Sequence, residues 1–379
     1  MTSLSLTPEQ RAHQEAMWAL LRQALADAGG ALRFDRYMHL ALYAPGLGYY
    51  TGGAVKFGAG GDFVTAPEIS PLFGRTLAFT CAEVLEGIGG GDLLEFGAGT
   101  GRLAVDLLDQ LDRLGRLPAR YLVLEPSPEL RQRQRRRLSA ELPRLAGRVE
   151  WIDRLPDAFE GVVLANEVLD AMPVRRFRKG AEGLEEQWVA AEGEGLRALW
   201  RPADAVLQAA IADIERDVGI LPVGYVSELN PGLAPWVASV AALLRRGLLL
   251  VMDYGHPRSV YYHPQRHMGT LVCHHRHRSH EDPFFLPGLQ DITAHVDFTA
   301  LARAGEAAGL TRAGYATQGR FLLSGGLDRL LAETDASDTA SHLELAQQVK
   351  RLTSPNGMGE VFKVMALGRG LPGPLRAFS

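Results

Sequence analysis

One short stretch of the chain carries most of the information about its fold, and it reads Asp92-Leu93-Leu94-Glu95-Phe96-Gly97-Ala98-Gly99-Thr100-Gly101-Arg102-Leu103. An apolar run breaks into three glycines at every second position, and apolar residues at helical spacing follow as far as Leu108. This pattern is typical of a buried strand, a tight glycine turn and the start of a helix. Glycine is needed in such a turn because the backbone takes positive φ angles and a ligand approaches it closely. The free N–H groups and the positive end of the helix dipole then face that ligand.

The spacing of the glycines separates two kinds of nucleoside ligand. A dinucleotide site has its third glycine three residues after the second, where the helix packs closely on the strand. In this chain that position is Arg102, the third glycine comes early at Gly101, and Glu95 stands two residues before Gly97. The pattern Glu-x-Gly-x-Gly-x-Gly resembles the first motif of class I methyltransferases that use S-adenosylmethionine (SAM). From the residues alone, an ordinary glycine turn of an α/β fold remains the alternative.

Length and composition set broad limits on the chain. Its 379 residues are enough for one large domain or two ordinary ones, and 22% charged with 46% hydrophobic residues indicate a globular protein. A net charge of −4 argues against a broad nucleic-acid-binding surface. Cys81 and Cys273 lie far apart without metal-ligand spacing, which predicts reduced thiols and a cytoplasmic location. No apolar run approaches the length of a membrane span, so we expect no transmembrane helix.

Further apolar runs alternate with helical patterns after the glycine turn. We predict strands near residues 121–125, 149–153, 161–165 and 248–253. This alternation predicts an α/β fold with a mainly parallel sheet and helices on both faces. Together with the glycine motif, it resembles the Rossmann-like core of class I SAM-dependent methyltransferases. Ligands of such sheets bind outside the carboxyl ends of the strands. The polar residues that follow the predicted strand ends are Glu95, Glu125, Asp153, Asn166 and Glu167.

The predicted organisation is a methyltransferase domain at residues 91–379, preceded by N-terminal helices and a glycine-rich loop at residues 1–90. Insertions interrupt the domain at about residues 174–222, where a period of two predicts antiparallel strands, and at residues 256–300. Residues 263–280 of the second insertion hold six of the eleven histidines of the chain. No cysteine or carboxylate there has zinc-ligand spacing, so a polar or anion-facing hairpin is favoured over a metal site.

The glycine-rich loop at residues 57–74 concentrates small and polar residues ahead of a predicted helix. It contains Gly61, Asp62, Thr65 and Glu68. Loops of this composition either close over a ligand as a lid or only turn the chain, and composition does not separate these two interpretations.

Taken together, motifs along nearly the whole chain resemble the MidA-like family of SAM-dependent methyltransferases, which includes a mitochondrial protein arginine methyltransferase acting in assembly of respiratory complex I. The motifs that carry the resemblance are Tyr37-Met38, Ala41-Leu42-Tyr43-x-Pro45, Gly48-Tyr49-Tyr50, Gly61-Asp62-Phe63, Thr65-x-Pro67-Glu68-Ile69-Ser70, Glu95-x-Gly97-x-Gly99-x-Gly101, Glu125, Asn166-Glu167-x-x-Asp170-Ala171-x-Pro173, Asp253-Tyr254-Gly255, Gly288-x-Gln290-Asp291-Ile292-Thr293-x-His295-Val296-Asp297-Phe298 and Gly359-Glu360-x-Phe362-Lys363-Val364. The resemblance implies a SAM cofactor, a methyl transfer and a protein substrate with an arginine acceptor, without fixing which protein is methylated.

The implied chemistry suggests roles for particular residues. A guanidinium is a poor nucleophile while its charge is delocalised, and carboxylates on either side localise the charge and orient one nitrogen. The candidate catalytic residues are Glu167 and Asp170, then Glu68 and Glu228 as second-choice clamps, and His295 with Asp297 to orient the substrate. The candidate cofactor-binding residues are Gly61, Asp62, Thr65, Glu95, Gly97, Gly99, Gly101, Glu125, Asp153 and Asn166. Among them, Gly97, Gly99 and Gly101 would hold the methionine part of SAM. Glu125 would bind its ribose, and Asp153 the edge of its adenine.

Three alternatives of different kinds stay open on the sequence. The chain could bind SAM and act as an assembly factor or chaperone with weak or absent methylation. It could also methylate an acceptor other than arginine. A nicotinamide oxidoreductase is disfavoured by the early third glycine and by the lack of an obvious Tyr-x-x-x-Lys pair in the expected place.

Overall fold

The glycine stretch lies in the middle of an eight-stranded sheet. A computed structural model describes residues 6–52, 65–333 and 339–379 of the chain. The strands are β1 (Ala31–Arg33), β2 (Asp92–Phe96), β3 (Tyr121–Leu124), β4 (Val149–Ile152), β5 (Phe159–Asn166), β6 (Arg175–Lys179), β7 (Leu184–Glu192), β8 (Gly195–Pro202), β9 (Val226–Leu229), β10 (Leu244–His256), β11 (Val272–His275), β12 (Arg278–His280), β13 (Asp291–Thr293), β14 (Val296–Asp297), β15 (Thr311–Thr317) and β16 (Phe362–Arg369). The helices are α1 (Pro8–Asp27), α2 (Phe34–Tyr43), α3 (Ala66–Ile69), α4 (Pro71–Ile88), α5 (Arg102–Arg113), α6 (Pro128–Glu141), α7 (Ala205–Val218), α8 (Leu233–Leu243), α9 (Arg258–Tyr261), α10 (Phe298–Ala307), α11 (Gln318–Ser324), α12 (Leu327–Ala332), α13 (Thr339–Thr353) and α14 (Met358–Val361).

The main sheet has the strand order β15-β16-β10-β5-β2-β3-β4, and β14 pairs with β10. The strands from β10 to β4 are parallel. At the other edge, β16 pairs with β10 in the antiparallel direction, and β15 pairs with β16 in the antiparallel direction. This arrangement confirms the predicted α/β fold, including the closing strands near the end of the chain. It also places the glycine turn between two inner strands, at the sheet edge where the carboxyl ends of the parallel strands meet.

Both faces of this sheet are buried, which explains why its strands are continuous apolar runs. Neighbouring residues of one strand enter opposite cores: Leu93 packs against α4 and α5, while Leu94 packs on the side of α8 and α10. Val162 and Val163 of β5 divide between the two cores in the same way. Helices therefore cover both faces, as the sequence predicts.

A second sheet joins the beginning of the chain to the first insertion. The strands β6, β7 and β8 are antiparallel, which confirms the period-two prediction for that region, and β1 pairs with β7. The helices α1 and α2 pack against this sheet through a core that includes Met17, Tyr37 and Val189. We therefore propose that residues 6–52 and the insertion form one substructure, while the domain boundary near residue 90 stays a prediction.

The second insertion forms a small sheet of its own with the order β12-β11-β13. His274, His275, His277 and His280 lie in the hairpin of β11 and β12, so the hairpin prediction is confirmed. Among the described residues, no group of three or more histidine, cysteine or acidic side chains is arranged to hold a metal ion. In the same part of the chain, no helix is both long and apolar enough to cross a membrane.

Gly161 is a position where the central sheet requires glycine. Its φ is +141°, and a Cβ there would lie 1.9 Å from the carbonyl oxygen of Asp92 on the neighbouring strand. Gly183 in the β6–β7 hairpin has a similar φ of +147° with no atom within 4 Å of the same position.

We expect Gly161→Ala to lower the free energy of unfolding much more than Gly183→Ala. Both variants strain the backbone by about 1–3 kcal/mol, but only Gly161→Ala also forces two inner strands apart. Thermal or urea unfolding of the two variants measures the difference. Equal losses of stability would contradict this account of the sheet.

Candidate functional site

A cavity of about 760 Å³ opens at the carboxyl ends of the parallel strands. It is large enough for a cofactor and part of a substrate, since ligand pockets usually have roughly 300–1,000 Å³. The predicted site residues that line it are Thr65, Glu68, Glu95, Gly97, Gly99, Glu125, Asp153, Asn166, Glu167, Asp170 and His295. The predicted residues Gly61 and Asp62 lie outside the described part of the chain. Gly101, Asp297 and Glu228 are described but do not line the cavity.

The glycine turn has the backbone that the sequence predicts. The φ angles are +60° at Gly97, +53° at Gly99 and +82° at Gly101, all in the left-handed region. Gly101 begins α5, and a Cβ there would press on Gln134 of α6 at 3.3 Å. Gly97 and Gly99 thus face the cavity, whereas Gly101 is needed for the turn and for helix packing.

Glu125 directly follows β3 inside the cavity, and both of its carboxylate oxygens accept hydrogen bonds. The backbone N–H of Ser127 donates to its Oε1 at 3.0 Å, and Gln134 Nε2 donates to its Oε2 at 3.1 Å. The same Gln134 amide donates to the carbonyl of Gly99 at 2.9 Å. Gln134 therefore fixes the glycine turn and Glu125 relative to each other. No sequence signal identifies this residue, because it stands among the exposed arginines of α6.

Asp153 lies at the rim of the cavity rather than inside it. Its side chain is 85% exposed and pairs with Arg131 at 2.7 Å. Arg131 also donates to the carbonyl oxygens of Glu125 and Ile152, at 2.5 Å and 3.0 Å. The arginine ties the ends of β3 and β4 together, which keeps the Asp153 carboxylate near the mouth of the cavity.

Glu95 forms part of the floor between these groups. It is 2% exposed and accepts a hydrogen bond from the Tyr121 hydroxyl at 2.7 Å. Burial, more than any neighbouring charge, raises the pKa of Glu95 to about 7.

Glu167 has the most unusual backbone at the site. Its φ is +53°, although it is not a glycine, and its N–H donates to the carbonyl of Met252 on β10 at 2.9 Å. Such a conformation costs about 1–3 kcal/mol and occurs mainly where function requires it. Its Oε1 accepts from the Asn166 amide at 3.3 Å. Burial and the nearby Asp170 raise the pKa of Glu167 to about 8.

Two further carboxyl groups line the cavity beside Glu167, and we call Glu167, Asp170 and Asp291 the acidic end. Asp170 is buried, and its Oδ1 has no hydrogen-bond partner among the described residues. Burial raises its pKa to about 6. Asp291, at the start of β13, accepts the Tyr50 hydroxyl on both oxygens at 2.9 Å. Sequence reasoning quotes Asp291 within a motif but assigns it no role.

Tyrosines form the wall around the acidic end. Tyr43 and Tyr50 are stacked with ring centroids 5.5 Å apart, and both line the cavity. Tyr254, near the end of β10, also lines the cavity, and the centroid of its ring lies 5.5 Å from that of Phe362. These aromatic residues belong to the quoted motifs, yet only the fold reveals that they converge.

Three acidic residues predicted as catalytic or clamping groups have other surroundings. Asp297 is the N-cap of α10, accepting from Thr299 and Ala300 at 3.0 Å, and its other oxygen pairs with Arg258 at 3.0 Å. Its expected contact with substrate is therefore corrected to a structural one. Glu228 is fully buried outside the cavity and accepts hydrogen bonds from Thr270 and Tyr261, which corrects its place as a clamp. Glu68 lines the cavity but points to Thr100 and Arg137.

His295 reaches the cavity as a neutral side chain. Burial lowers its pKa to about 3, and its ring meets the Tyr254 ring edge-on at 5.1 Å. A neutral imidazole beside the acidic end adds no positive charge there, so it leaves that end open to a cationic ligand.

The raised pKa values make the stability of the ligand-free protein depend on pH. Glu95, Asp170 and Glu167 have pKa values of about 7, 6 and 8 when folded, above the ordinary 4.5 and 3.8. The folded protein therefore binds protons more tightly than the unfolded chain, and this stabilisation is complete below pH 4. It is lost as the pH rises through 6 to 8.

We expect the melting temperature of the free protein to fall as the pH rises from about 4 to 8, the interval between the unfolded and folded pKa values of these groups. Each unit of pKa difference between the folded and unfolded states contributes about 1.4 kcal/mol, so the free energy of unfolding should change by a few kcal/mol. Glu167→Gln should reduce the slope, because an amide does not titrate. Calorimetry at several pH values tests this, and a flat profile for both proteins would count against burial of these groups.

Comparisons with known proteins agree with this geometry. A family model described as "Putative S-adenosyl-L-methionine-dependent methyltransferase" matches residues 76–316. The mitochondrial protein arginine methyltransferase NDUFAF7 of Mus musculus is 30% identical over 372 residues, covering 89% of this chain and 81% of that protein. The protein of the same name from Danio rerio is 28% identical, covering 90% and 84%. A solved structure from Burkholderia thailandensis bound to S-adenosyl-homocysteine is 48% identical with a TM-score of 0.95, covering 99% of this chain and 97% of that one.

These matches confirm the family resemblance and the cofactor that the sequence motifs indicate. The matched region spans the glycine turn, the strand ends and the acidic end of the cavity. The chain therefore belongs to the family of S-adenosyl-L-methionine-dependent methyltransferases and is an enzyme whose methyl donor is SAM.

Proposed function

We propose that this methyltransferase transfers methyl groups to arginine side chains of a protein substrate bound at the acidic end. The observation that carries the proposal is the convergence of Glu167, Asp170 and Asp291 on one chamber with tyrosine walls. Carboxylates bind a guanidinium through paired, charge-assisted hydrogen bonds, and aromatic faces attract its charge. The relatives from mouse and zebrafish are named protein arginine methyltransferases, which supports the same acceptor.

The cofactor half of the cavity suits SAM in shape and polarity. The positive φ angles at Gly97 and Gly99 leave room for a ligand against the backbone, and we propose that they hold its methionine part. Glu125 lies in the cavity directly after β3, and a carboxylate at that strand end can accept both ribose hydroxyls of a nucleoside. Asp153 at the rim is the proposed contact for the adenine edge. Thr65 and Asn166 line the same cavity and stay predicted cofactor contacts.

The chain itself must align the acceptor nitrogen and manage charge. When bound, SAM supplies a methyl group on a sulfonium that departs as a neutral thioether. Glu167 and Asp291 are proposed to hold the guanidinium, so that its charge is localised away from the reacting nitrogen. A new N–C bond forms there as the S–C bond breaks, and that nitrogen loses one proton. The proposed acceptor is Oδ1 of Asp170, which has no partner among the described residues.

We also propose that the protein acts in the cytoplasm. Cys81 and Cys273 are buried, unpaired thiols, which supports a reducing compartment. The mouse and zebrafish relatives carry the word mitochondrial in their names. Fractionation of the source cells, followed by immunodetection of the chain, decides between the two compartments.

Replacing Gly99 by valine should abolish cofactor binding. At a φ of +53° a branched side chain strains the turn, and its methyl groups occupy the space proposed for the ligand. Gly115→Val is the matched control, because Gly115 has a φ of +65° at the end of α5 with no atom near its Cβ position. Calorimetry with S-adenosyl-homocysteine measures binding. Undiminished affinity in Gly99→Val would show that the ligand does not bind at this turn.

Glu167→Gln should keep cofactor binding and slow methylation by roughly 30- to 1000-fold, since losing one charge-assisted contact costs about 2–4 kcal/mol. Cells lacking the chain are complemented with either protein, and mass spectrometry compares their arginine-methylated peptides. Peptides restored by the parent but not by the variant would support the proposal.

The proposal fails if the parent restores no arginine methylation. Normal methylation by Glu167→Gln, with normal affinity for S-adenosyl-homocysteine, would instead remove this residue from the mechanism. If Glu167 only shapes the turn, Glu167→Gln should methylate normally and change the stability of the protein by a small amount.

A further inference from the structure

His295 lies between the cavity of the candidate site and a second, smaller cavity. The smaller cavity has a volume of about 170 Å³ and is lined by residues of α7, α8 and α10. His295 lines both cavities, and its ring meets the Tyr254 ring edge-on at 5.1 Å in the larger one. The position of this side chain therefore decides whether the smaller cavity is joined to the acidic end.

Two backbone hydrogen bonds fix the segment that carries His295. The N–H of Ala294 donates to the carbonyl of Asp170 at 2.9 Å, and the N–H of His295 donates to Thr270 Oγ1 at 2.9 Å. The ring itself has less support, because its Nδ1 is buried without a hydrogen-bond partner among the described residues. The place of the ring therefore depends on its backbone and on packing.

A buried carboxyl group orients the Thr270 hydroxyl. Thr270 donates its one hydroxyl hydrogen to Glu228 Oε1 at 2.7 Å, which leaves the oxygen lone pairs for the N–H of His295. The Thr270 N–H donates to the same Oε1 at 2.7 Å, and the Tyr261 hydroxyl donates to it at 3.1 Å. Glu228 is fully buried, so three donors converge on an oxygen that bulk water does not reach.

The chain also fits closely around Glu228. Gly269, directly before Thr270, has a φ of +82°, and a Cβ there would collide with Glu228 Oε2. The Tyr262 hydroxyl donates to the backbone carbonyl of Glu228 at 3.1 Å. Tyr261 and Tyr262 both line the smaller cavity. Glu228 therefore supports the walls of that cavity through its side chain and through its backbone.

We propose that Glu228 is a positioning residue for the cavity wall, acting through Thr270 on His295. Held in this way, His295 closes the acidic end against the smaller cavity and limits the access of water to the carboxyl groups. This role differs from the predicted clamp on substrate, because Glu228 does not line the cavity. The inference rests on the proposed function, since it concerns how the acidic end is kept for a cationic acceptor.

Breaking this chain of hydrogen bonds should let His295 swing out of the wall more often. A reagent in solution reaches the ring mainly in the open state, so the rate of its modification follows the opening equilibrium. Loss of one hydrogen bond shifts such an equilibrium roughly 2- to 10-fold.

The test measures carbethoxylation of His295 in the full-length protein at a low concentration of diethylpyrocarbonate, with modified peptides quantified by mass spectrometry. The other histidines of the chain are internal controls, because a general loss of stability would raise their rates as well. The variants come in pairs. Thr270→Val removes the hydroxyl and keeps the shape, whereas Thr270→Ser keeps the hydroxyl. Glu228→Ala removes the acceptor, whereas Glu228→Gln keeps one oxygen.

Thr299→Val is the matched control for Thr270→Val. Thr299 Oγ1 accepts the backbone N–H of Arg258 at 2.9 Å, which is the same kind of bond made to a different residue. We expect the His295 rate to rise roughly 2- to 10-fold in Thr270→Val and in Glu228→Ala. It should stay near that of the parent in Thr270→Ser, Glu228→Gln and Thr299→Val.

The double variant Glu228→Ala/Thr270→Val should react no faster than Glu228→Ala alone, because both changes break the same chain. An unchanged His295 rate in Thr270→Val, with the variant folded by circular dichroism, overturns the inference even if Glu228→Ala does not fold. Additive increases in the double variant overturn it as well. An equal rise at all histidines in Glu228→Ala also overturns it, since Glu228 would then stabilise the whole fold.

These outcomes are separate from failure of the proposed function, because the labelling needs no substrate and no turnover. A chain that shows the expected rates but methylates no arginine would keep the positioning role of Glu228 and lose arginine as the acceptor.

Discussion

Burial of carboxyl groups where β5 and β10 end is the constraint on which the rest of the site depends. Asp253 is fully buried, and its Oδ2 accepts the backbone N–H groups of Leu169 and Asp170 at 3.0 Å and 3.3 Å. These bonds fix the turn that follows β5. This turn then holds the backbone of Glu167 in a left-handed conformation, with its side chain toward the cavity. A site built this way keeps its geometry before any ligand arrives, at a cost in strain and desolvation that the surrounding sheet offsets.

The fold and the cofactor half of the site are largely readable from the sequence. Glycines at every second position after an apolar run specify a strand, a turn and a helix locally, and parallel strands then bring their carboxyl ends to one edge. Glu95 is found because it lies near the end of its strand, and Glu125 and Glu167 because each directly follows its strand. The capping box of Thr7 and Gln10 at the start of α1 is likewise a local pattern of residue types and spacing.

The rest of the site could not be predicted because it depends on contacts between distant parts of the chain. Tyr50 comes from the N-terminal region and Asp291 from the second insertion, and they meet 241 positions apart. A carboxylate just before a helix has the same local sequence pattern whether it caps that helix or binds a ligand. Asp297 caps α10, whereas Asp291 six residues earlier faces the cavity. Only burial and the partners of each oxygen separate the two cases.

The charges of the acidic end also affect which cationic side chain it binds. Burial of Glu167 and Asp170 means that their charges appear most readily when a cation arrives to compensate them. A lysine placed in such a chamber can lose its proton instead, since its pKa falls when it is buried. A guanidinium stays charged and offers five donors in one plane, enough to meet several carboxylates at once. Stacked Tyr43 and Tyr50 favour a flat group over a tetrahedral ammonium. The three carboxyl groups and the aromatic rings therefore favour a cation that is flat and stays charged when buried. These two properties favour arginine over lysine as the acceptor.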